Sequence, residues 1–178
     1  MSTAANLLGA LAVACLDRQL AAMQADGLEE ADLAALLFVR HKPGAMVGQV
    51  AEAAGLTHSG AVRVIDRLAA AGYVARAPGR DRRAVALRLT PAGRAVVRRV
   101  LRARRRALDR MLDGLDDRDV AALGRIAGKL LGAEPKQVTD AWRICRFCER
   151  GQCLPAGCPV AAAVDPLDRK GESHADRT

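Results

Sequence analysis

The segment from residue 46 to residue 93 places the strongest constraint on how this chain can fold. Its first part, MVGQVAEAAGLTHSGAVRVIDRLAAAG, reads as a short helix, a turn at Gly55 and a longer helix with Thr57 as its N-cap. A strand-like stretch YVARA, an arginine-loaded turn and an alternating stretch AVALRLT follow directly. The apolar face of that second strand is expected to consist of Val85, Leu87 and Leu89. A helix-turn-helix followed by a two-stranded hairpin is a winged helix, so we expect a mainly α fold with a small β-hairpin wing.

Apolar residues recur at helical spacing on both sides of this winged helix. The acidic turn that begins at residue 29 and the pair Thr90-Pro91 are typical helix starts. The expected flanking helices cover residues 3–25, 29–40, 91–112 and 116–133. The first and last of these helices are too apolar to stand alone in water.

The charge balance indicates the class of partner. The chain has 28 Lys and Arg against 20 Asp and Glu, which gives a net charge of +8 and a pI near 9.9. A polyanion, either nucleic acid or an anionic membrane surface, is therefore the first partner to consider. The chain has no apolar run long enough for a transmembrane span, and no basic residue precedes its apolar start, so we expect neither an anchor nor a signal peptide. These features favour a cytoplasmic protein.

Residues 55–93, GLTHSGAVRVIDRLAAAGYVARAPGRDRRAVALRLTPAG, resemble the most recognisable part of the MarR family of bacterial transcription regulators. The resemblance lies in a helix ending RLAAAGYVAR, the wing DRR and a strand closing LTPAG, and the order of helices extends it to residues 3–133. It implies a homodimer in which the first, fifth and sixth helices interleave, and two winged-helix lobes that bind a near-palindromic operator in double-stranded DNA. It also implies a repressor, and a small aromatic effector that binds between the lobes and the dimerisation domain.

The resemblance and the composition divide the chain into five segments. They are an N-terminal dimerisation helix (1–28), a winged helix-turn-helix domain (29–90), C-terminal dimerisation helices (91–133), a Cys-rich metal-binding tail (134–164) and a disordered polar tail (165–178). We expect the Cys-rich tail to be an appendage on the dimer end of the regulator.

The second helix of the motif is expected to read DNA. Its buried stripe should consist of Ala61, Val64, Ile65 and Leu68. A recognition helix enters the major groove with its N-terminal residues leading, and arginine pairs bidentately with guanine, so Arg63 is the best candidate for a base contact. Val62 is either a methyl contact with thymine or a residue packed under the wing. The candidate DNA-contacting residues of this helix are Thr57, His58, Ser59, Val62, Arg63 and Arg67.

The hairpin turn carries Arg80, Asp81, Arg82 and Arg83. Arginine on a hairpin tip suits phosphates or a narrow minor groove, where negative potential is concentrated. The resemblance implies a split role, in which Asp81 fixes one arginine by ion pairing and another arginine reaches DNA. The sequence leaves open which arginine does which.

Four of the five cysteines lie in CRFCERGQCLPAGC, residues 145–158, with the spacing C-x2-C-x4-C-x4-C. Thiols stay reduced in the cytoplasm, so a tight cluster indicates metal or redox chemistry rather than a disulfide framework. A two-residue gap lets both thiolates of a pair converge on one ion. The expected metal ligands are Cys145, Cys148, Cys153 and Cys158, with Arg143, Arg146 and Arg150 offsetting their charge.

Two metal groups fit these ligands. Structural zinc is the first choice, because the spacing is that of a zinc knuckle with cysteine in place of its histidine. An iron–sulfur cluster is the alternative, because Cys158-Pro159 matches the Cys-Pro that ends bacterial ferredoxin runs. Net charge and ligand softness suit both groups. Zinc would make the segment a structural staple, whereas a cluster would make the chain a redox- or iron-responsive regulator.

Cys15 lies apart from this cluster, on the first helix. MarR-like organic peroxide sensors carry a reactive cysteine there, but the tyrosines that partner it are missing here, so we expect a buried structural thiol. A C-x2-C pair could also serve thiol–disulfide exchange. The βαβ context of such oxidoreductases is absent from the pattern, and we expect no enzyme.

Overall fold

The computed structural model describes residues 2–24, 27–78 and 85–165 of the chain. Its elements are α1 (Thr3–Met23), α2 (Glu30–His41), α3 (Val47–Ala54), α4 (His58–Ala70), β1 (Val74–Pro78), β2 (Val85–Leu89), α5 (Pro91–Leu112), α6 (Asp117–Ala133), α7 (Val138–Ile144) and α8 (Arg150–Cys153). Residues 159–165 are also helical. The mainly helical fold with a two-stranded antiparallel hairpin confirms the predicted fold class.

Helix α2 forms the centre of the core. Residues 32–39 are all buried, and the helix packs against α3, α4, α5 and β2. We refer to α2, α3, α4 and the hairpin together as the reading lobe. Because α2 packs against α3, α4 and β2, whatever contacts α2 from outside also contacts the scaffold of the lobe.

Caps define the turn and the start of α4. Gly55 ends α3 in the left-handed conformation with φ of 68°, which a glycine adopts without steric cost. The Thr57 hydroxyl then accepts a hydrogen bond from the Gly60 amide at 3.1 Å. Both features were predicted from the sequence, and they fix the angle at which α4 leaves α3.

The hairpin pairs Val74 with Leu89 at its base and Pro78 with Val85 at its outer end. On the predicted apolar face of β2, Leu87 and Leu89 are buried, whereas Val85 is exposed. The physical reason is position: Val85 lies at the outer end of the strand, beyond the reach of the core.

Gly93 allows α5 to approach the base of the hairpin closely. A Cβ atom at this position would lie 2.0 Å from the Tyr73 carbonyl oxygen. The same oxygen accepts a hydrogen bond from the Thr90 amide at 3.0 Å, and the Thr90 hydroxyl caps α5 by accepting from the Gly93 amide at 3.0 Å. The glycine of the LTPAG stretch is therefore required by packing.

Residues 138–165, which we call the C-terminal module, pack on the reading lobe. Helix α7 lies against α3, and Phe147 belongs to the main core, at 5% exposure. The expectation that the Cys-rich tail is an appendage on the dimer end is therefore wrong. Spacing along the chain could not reveal this, because the hydrogen bonds that join the module to the lobe link residues 91 to 116 positions apart.

Candidate nucleic-acid interface and cysteine cavity

Helix α4 presents one apolar and one polar face. Ala61, Val64, Ile65 and Leu68 are buried, which confirms the predicted stripe. On the other side, Thr57, His58, Ser59 and Arg63 are exposed at the N-terminal end of the helix, and Val62 is half-buried. Within the described part of the chain, Arg63 has no hydrogen bond or ion pair. An exposed arginine beside small polar side chains is the arrangement that a major groove can accept.

Arg67 has partners inside the protein. Its Nε and Nη2 atoms donate to Asp32 Oδ1 at 3.1 and 2.8 Å, and Nη2 also lies 3.3 Å from Glu29 Oε2. Asp32 is only 2% exposed, and its hydrogen bonds raise the pKa of the Arg67 guanidinium. The second oxygen of Asp32 accepts from the Glu29 amide at 3.0 Å at the start of α2. This geometry favours Arg67 as a strut between α4 and α2 over its expected contact with DNA.

A second ion pair joins α4 to the wing. Arg76 on β1 donates to the Asp66 carboxylate on α4. The pair fixes the strand that leads into the wing relative to the recognition helix. The expected wing contacts Arg80, Asp81, Arg82 and Arg83 lie outside the described residues, between the ends of β1 and β2.

Two helices carry large apolar side chains that the single chain leaves exposed. On α1 these are Leu7, Leu8, Leu11 and Val13, and on α6 they are Val120, Leu123, Ile126, Leu130 and Leu131. No residue of α6 is buried. A helix that buries nothing within its own chain needs another surface to cover it. Cys15, which was expected to be buried, is half-buried on α1.

A basic cleft lies between α2, β2 and α5. It has a volume of about 260 Å³ and is lined by Arg40, Arg94, Arg98, Leu89 and Val97. A neighbouring cleft shares Arg40 and Arg98 and adds Arg102, Arg105 and Glu149. Arginines beside the apolar side chains of Leu89 and Val97 suit a small ligand that has both a negatively charged group and an apolar part.

All four clustered cysteines line one cavity of about 310 Å³ in the C-terminal module, which we call the cysteine cavity. Its other walls are mainly apolar and come from α7 and residues 159–165, with Trp142 on one side and Arg150 beside the thiols. The four cysteines that were expected to act as metal ligands therefore share one cavity, and their binding of a metal stays a prediction. No three His, Cys, Asp or Glu side chains in the described ranges are placed to hold a single metal ion.

Neighbouring thiols shift the pKa of three of these cysteines. Cys145 hydrogen-bonds to Cys148, which raises the pKa of Cys145 and lowers that of Cys148 to about 6. Burial, together with a hydrogen bond to Cys158, raises the pKa of Cys153 to about 11. One thiol of the cluster is thus prepared to become a thiolate, the form that binds metals.

The three arginines near the cysteines divide their roles. Arg150 lies over the Trp142 ring, with its guanidinium carbon 4.1 Å from the centroid, and lines the cavity. Arg143 and Arg146 instead hold the module to the reading lobe: Arg143 Nε donates to the Glu52 carbonyl at 3.2 Å, and Arg146 pairs with Glu30 at 3.1 Å. All three were expected to offset the charge of the thiolates, but only Arg150 lines the cavity that contains the cysteines.

Aromatic and polar contacts complete the docking of the module. The Phe38 and Trp142 rings pack edge to face at 4.9 Å, and His41 Nε2 donates to the Cys148 carbonyl at 3.1 Å. Burial lowers the pKa of His41. The sequence interpretation missed Asp32, Phe38 and Trp142 as parts of the site. Asp32 offered one signal, since it is an acid three residues into a predicted helix, but its partner Arg67 could not be read from spacing.

The comparisons with known proteins agree with this geometry. A MarR family model matches residues 26–84. A MarR family transcriptional regulator from Silicibacter pomeroyi is 30% identical, with a TM-score of 0.56 over 71% of this chain and 88% of the other. YusO from Bacillus subtilis is 26% identical, with a TM-score of 0.63 over 75% of this chain and 99% of the other.

A third similar structure contains a small ligand. The Mycobacterium tuberculosis MarR family protein RV2887, solved in complex with salicylic acid, is 26% identical, with a TM-score of 0.59 over 73% of this chain and 97% of the other. A search of curated proteins found no match. Within the described residues, no helix has the length and apolar character needed to cross a membrane.

Proposed function

The chain belongs to the MarR family of transcriptional regulators, and we propose that it is a homodimeric repressor that binds a specific near-palindromic operator. The observation that carries this proposal is the exposed polar face at the start of α4, where Thr57, Ser59 and Arg63 surround a helix end. In the proposed complex this end enters the major groove, and Arg63 pairs with a guanine.

The wing supplies the second set of proposed contacts. Arg80, Arg82 and Arg83 follow β1 directly in the sequence, and the Asp66–Arg76 pair ties that strand to α4. The recognition helix and the wing would therefore approach DNA as one unit. We assign the wing arginines to phosphates and the minor groove, which predicts a strong dependence of affinity on salt.

Dimerisation is supported by the uncovered apolar surface of α1 and α6. These helices come from opposite ends of the 3–133 region, and both expose leucine, valine or isoleucine side chains. A second copy of the chain would cover them by the interleaving that the family uses. Two reading lobes related by a two-fold axis then account for an operator with two-fold symmetry.

Selection from a random double-stranded DNA library tests the operator and the role of Arg63 together. The selection should return a near-palindrome, and gel-shift titration should then compare the wild type with Arg63→Ala and Arg105→Ala. Arg63→Ala should weaken operator binding by about 1–3 kcal/mol and relax the choice of one base in each half-site. Arg105→Ala removes the same charge from α5 and should leave the base preference intact. Equal losses for both variants, or selection of no common sequence, would contradict the proposal.

The basic cleft supports a second role, the binding of a small aromatic acid as effector. Its arginines Arg40, Arg94 and Arg98 suit a carboxylate, while Leu89 and Val97 suit an aromatic ring. The similar protein RV2887 binds salicylic acid. Salicylate should raise the melting temperature of the wild type and release the selected operator, and Arg40→Gln should remove both effects. No thermal shift up to millimolar salicylate would contradict this role.

The four clustered cysteines are proposed to bind a metal group as thiolates. Zinc and an iron–sulfur cluster are the two groups that their spacing admits, and Arg150 in the cavity wall would offset the negative charge of either. The volume of the cysteine cavity bears on the choice between zinc and a cluster.

A further inference from the structure

The size of the cysteine cavity distinguishes between a single ion and a larger group. Zinc in a four-cysteine site holds each sulfur about 2.3 Å away, so the sulfurs lie roughly 3.8 Å apart and enclose only the ion. Here the four cysteines, together with nine other residues, line a cavity of about 310 Å³, which is far larger than the space that a single ion fills. Nor do any three of the metal-binding side chains in the described ranges converge on one point.

The pairing of the thiols agrees with this distinction. The four cysteines form two pairs along the chain, Cys145 with Cys148 at the end of α7 and Cys153 with Cys158 after it, and both pairs line the same cavity. A single tetrahedral ion requires the two pairs to meet. A cluster contains several irons, each bound by its own thiolates, so the pairs can stay apart.

The walls of the cavity suit a buried anionic cluster. Val138, Ala141, Val160 and Val164 supply apolar surface, which limits the access of water to a metal group. The guanidinium of Arg150 lines the same space, and the Asp165 carboxylate lies at its edge. A cluster with four thiolate ligands carries a net negative charge, which the Arg150 cation partly offsets.

We propose that the cysteine cavity binds an iron–sulfur cluster through Cys145, Cys148, Cys153 and Cys158, and not a single zinc ion. This inference rests on the proposed role of the four thiolates as metal ligands and names the class of group that they bind. For a two-iron form, two ferric ions, two sulfides and four thiols yield the cluster and four protons, with no electron transferred. Four iron–thiolate bonds replace four S–H bonds, and the protons pass to solvent.

The test uses the full chain, purified without oxygen and then supplied with ferric iron and sulfide. We expect a brown protein with equal amounts of iron and acid-labile sulfide and at least two irons per chain. Trp142, the single tryptophan, lines the cavity, so its fluorescence should be quenched when the visible-absorbing cluster forms. A colourless protein that contains one zinc per chain and excludes iron and sulfide overturns the proposal. So does a protein that stays metal-free with its thiols reduced.

Substitutions at single cysteines locate the site. Cys148→Ser and Cys153→Ser should lose the colour and the sulfide, whereas Cys15→Ser, which changes the one cysteine outside the cavity, should keep both. Circular dichroism establishes whether each variant is folded, and the metal content of the wild type decides the question even if the cavity variants unfold. Unchanged iron and sulfide in folded Cys148→Ser and Cys153→Ser would also overturn the proposal.

Operator binding is measured separately, so the two proposals fail independently. A protein that binds its selected operator but takes no cluster contradicts only the cluster. A protein that takes the cluster but selects no DNA sequence contradicts only the operator-binding repressor.

Discussion

Arg63 and Arg67 lie about one turn apart on α4, and their surroundings differ in a way that the sequence does not show. Arg63 is exposed to solvent. The side chain of Arg67 is 49% exposed, but its guanidinium pairs with the buried carboxylate of Asp32. A helical period predicts that both lie away from the buried stripe. It cannot predict that an acid 35 positions earlier in the chain meets one of them.

We predict that Arg67→Ala lowers the free energy of unfolding by about 2 kcal/mol. Removal of one partner from a fully buried ion pair costs about 3–5 kcal/mol, and the half-exposed position of Arg67 reduces that cost. Urea denaturation followed by far-UV circular dichroism measures it. Arg63→Ala, on the same helix, should stay within about 0.5 kcal/mol of the wild type. If the two variants were equally stable, the strut between α4 and α2 would have no energetic importance.

At the scale of elements, the junction between the hairpin and α5 depends on the absence of a side chain at Gly93. Gly93→Ala places a methyl group against the Tyr73 carbonyl oxygen and should lower stability by about 1–3 kcal/mol, the usual cost of overpacking. Gly48→Ala, inside α3 with open space around it, is the matched control and should be neutral or stabilising by up to about 1 kcal/mol. Thermal melts of the two variants check this. A neutral Gly93→Ala would show that α5 can move away from β1 at little cost.

A second element-scale prediction concerns the docking of the C-terminal module. Phe147→Ala should cost about 3–5 kcal/mol, because the ring lies in the core that also contains α2. Leu154→Ala, an exposed apolar residue of the same module, should stay within about 0.5 kcal/mol of the wild type. Urea titrations of both variants provide the measurement. Similar small losses for both variants would mean that the module does not stabilise the lobe.

The sequence predicted the elements of this fold better than their arrangement. Periodicity located α4 and its buried stripe, and capping residues located the starts of α4 and α5, because both depend on neighbours within a few positions. The position of the module on α2 and α3 depends on Phe38, Trp142 and Phe147, whose contacts cross most of the chain length. That the four cysteines share one cavity was predictable because they are close in sequence, whereas the size of that cavity was not.

At the scale of the whole molecule, we predict a dimer that depends on the apolar face of α6. Ile126→Glu places a charge on a side chain that is 51% exposed in the single chain, and it should shift the protein to monomer in analytical ultracentrifugation. Arg125→Glu lies opposite the apolar face of α6 by the helical period and should remain dimeric. A monomeric wild type, or an Ile126→Glu variant that dimerises as the wild type does, would contradict this assignment.

Helix α7 contacts the reading lobe and also lines the cysteine cavity, and this position has a thermodynamic consequence. Arg143 holds α7 to the Glu52 carbonyl of α3, the helix that precedes the recognition helix, and the other side of α7 lines the cysteine cavity. Coupling free energies are reciprocal: if an occupant of the cavity changes operator affinity by some factor, operator DNA changes the affinity of the cavity for that occupant by the same factor. Operator sites in the cell would then act as effectors of the cavity, and the retention of its metal group would depend on whether the protein is bound to DNA.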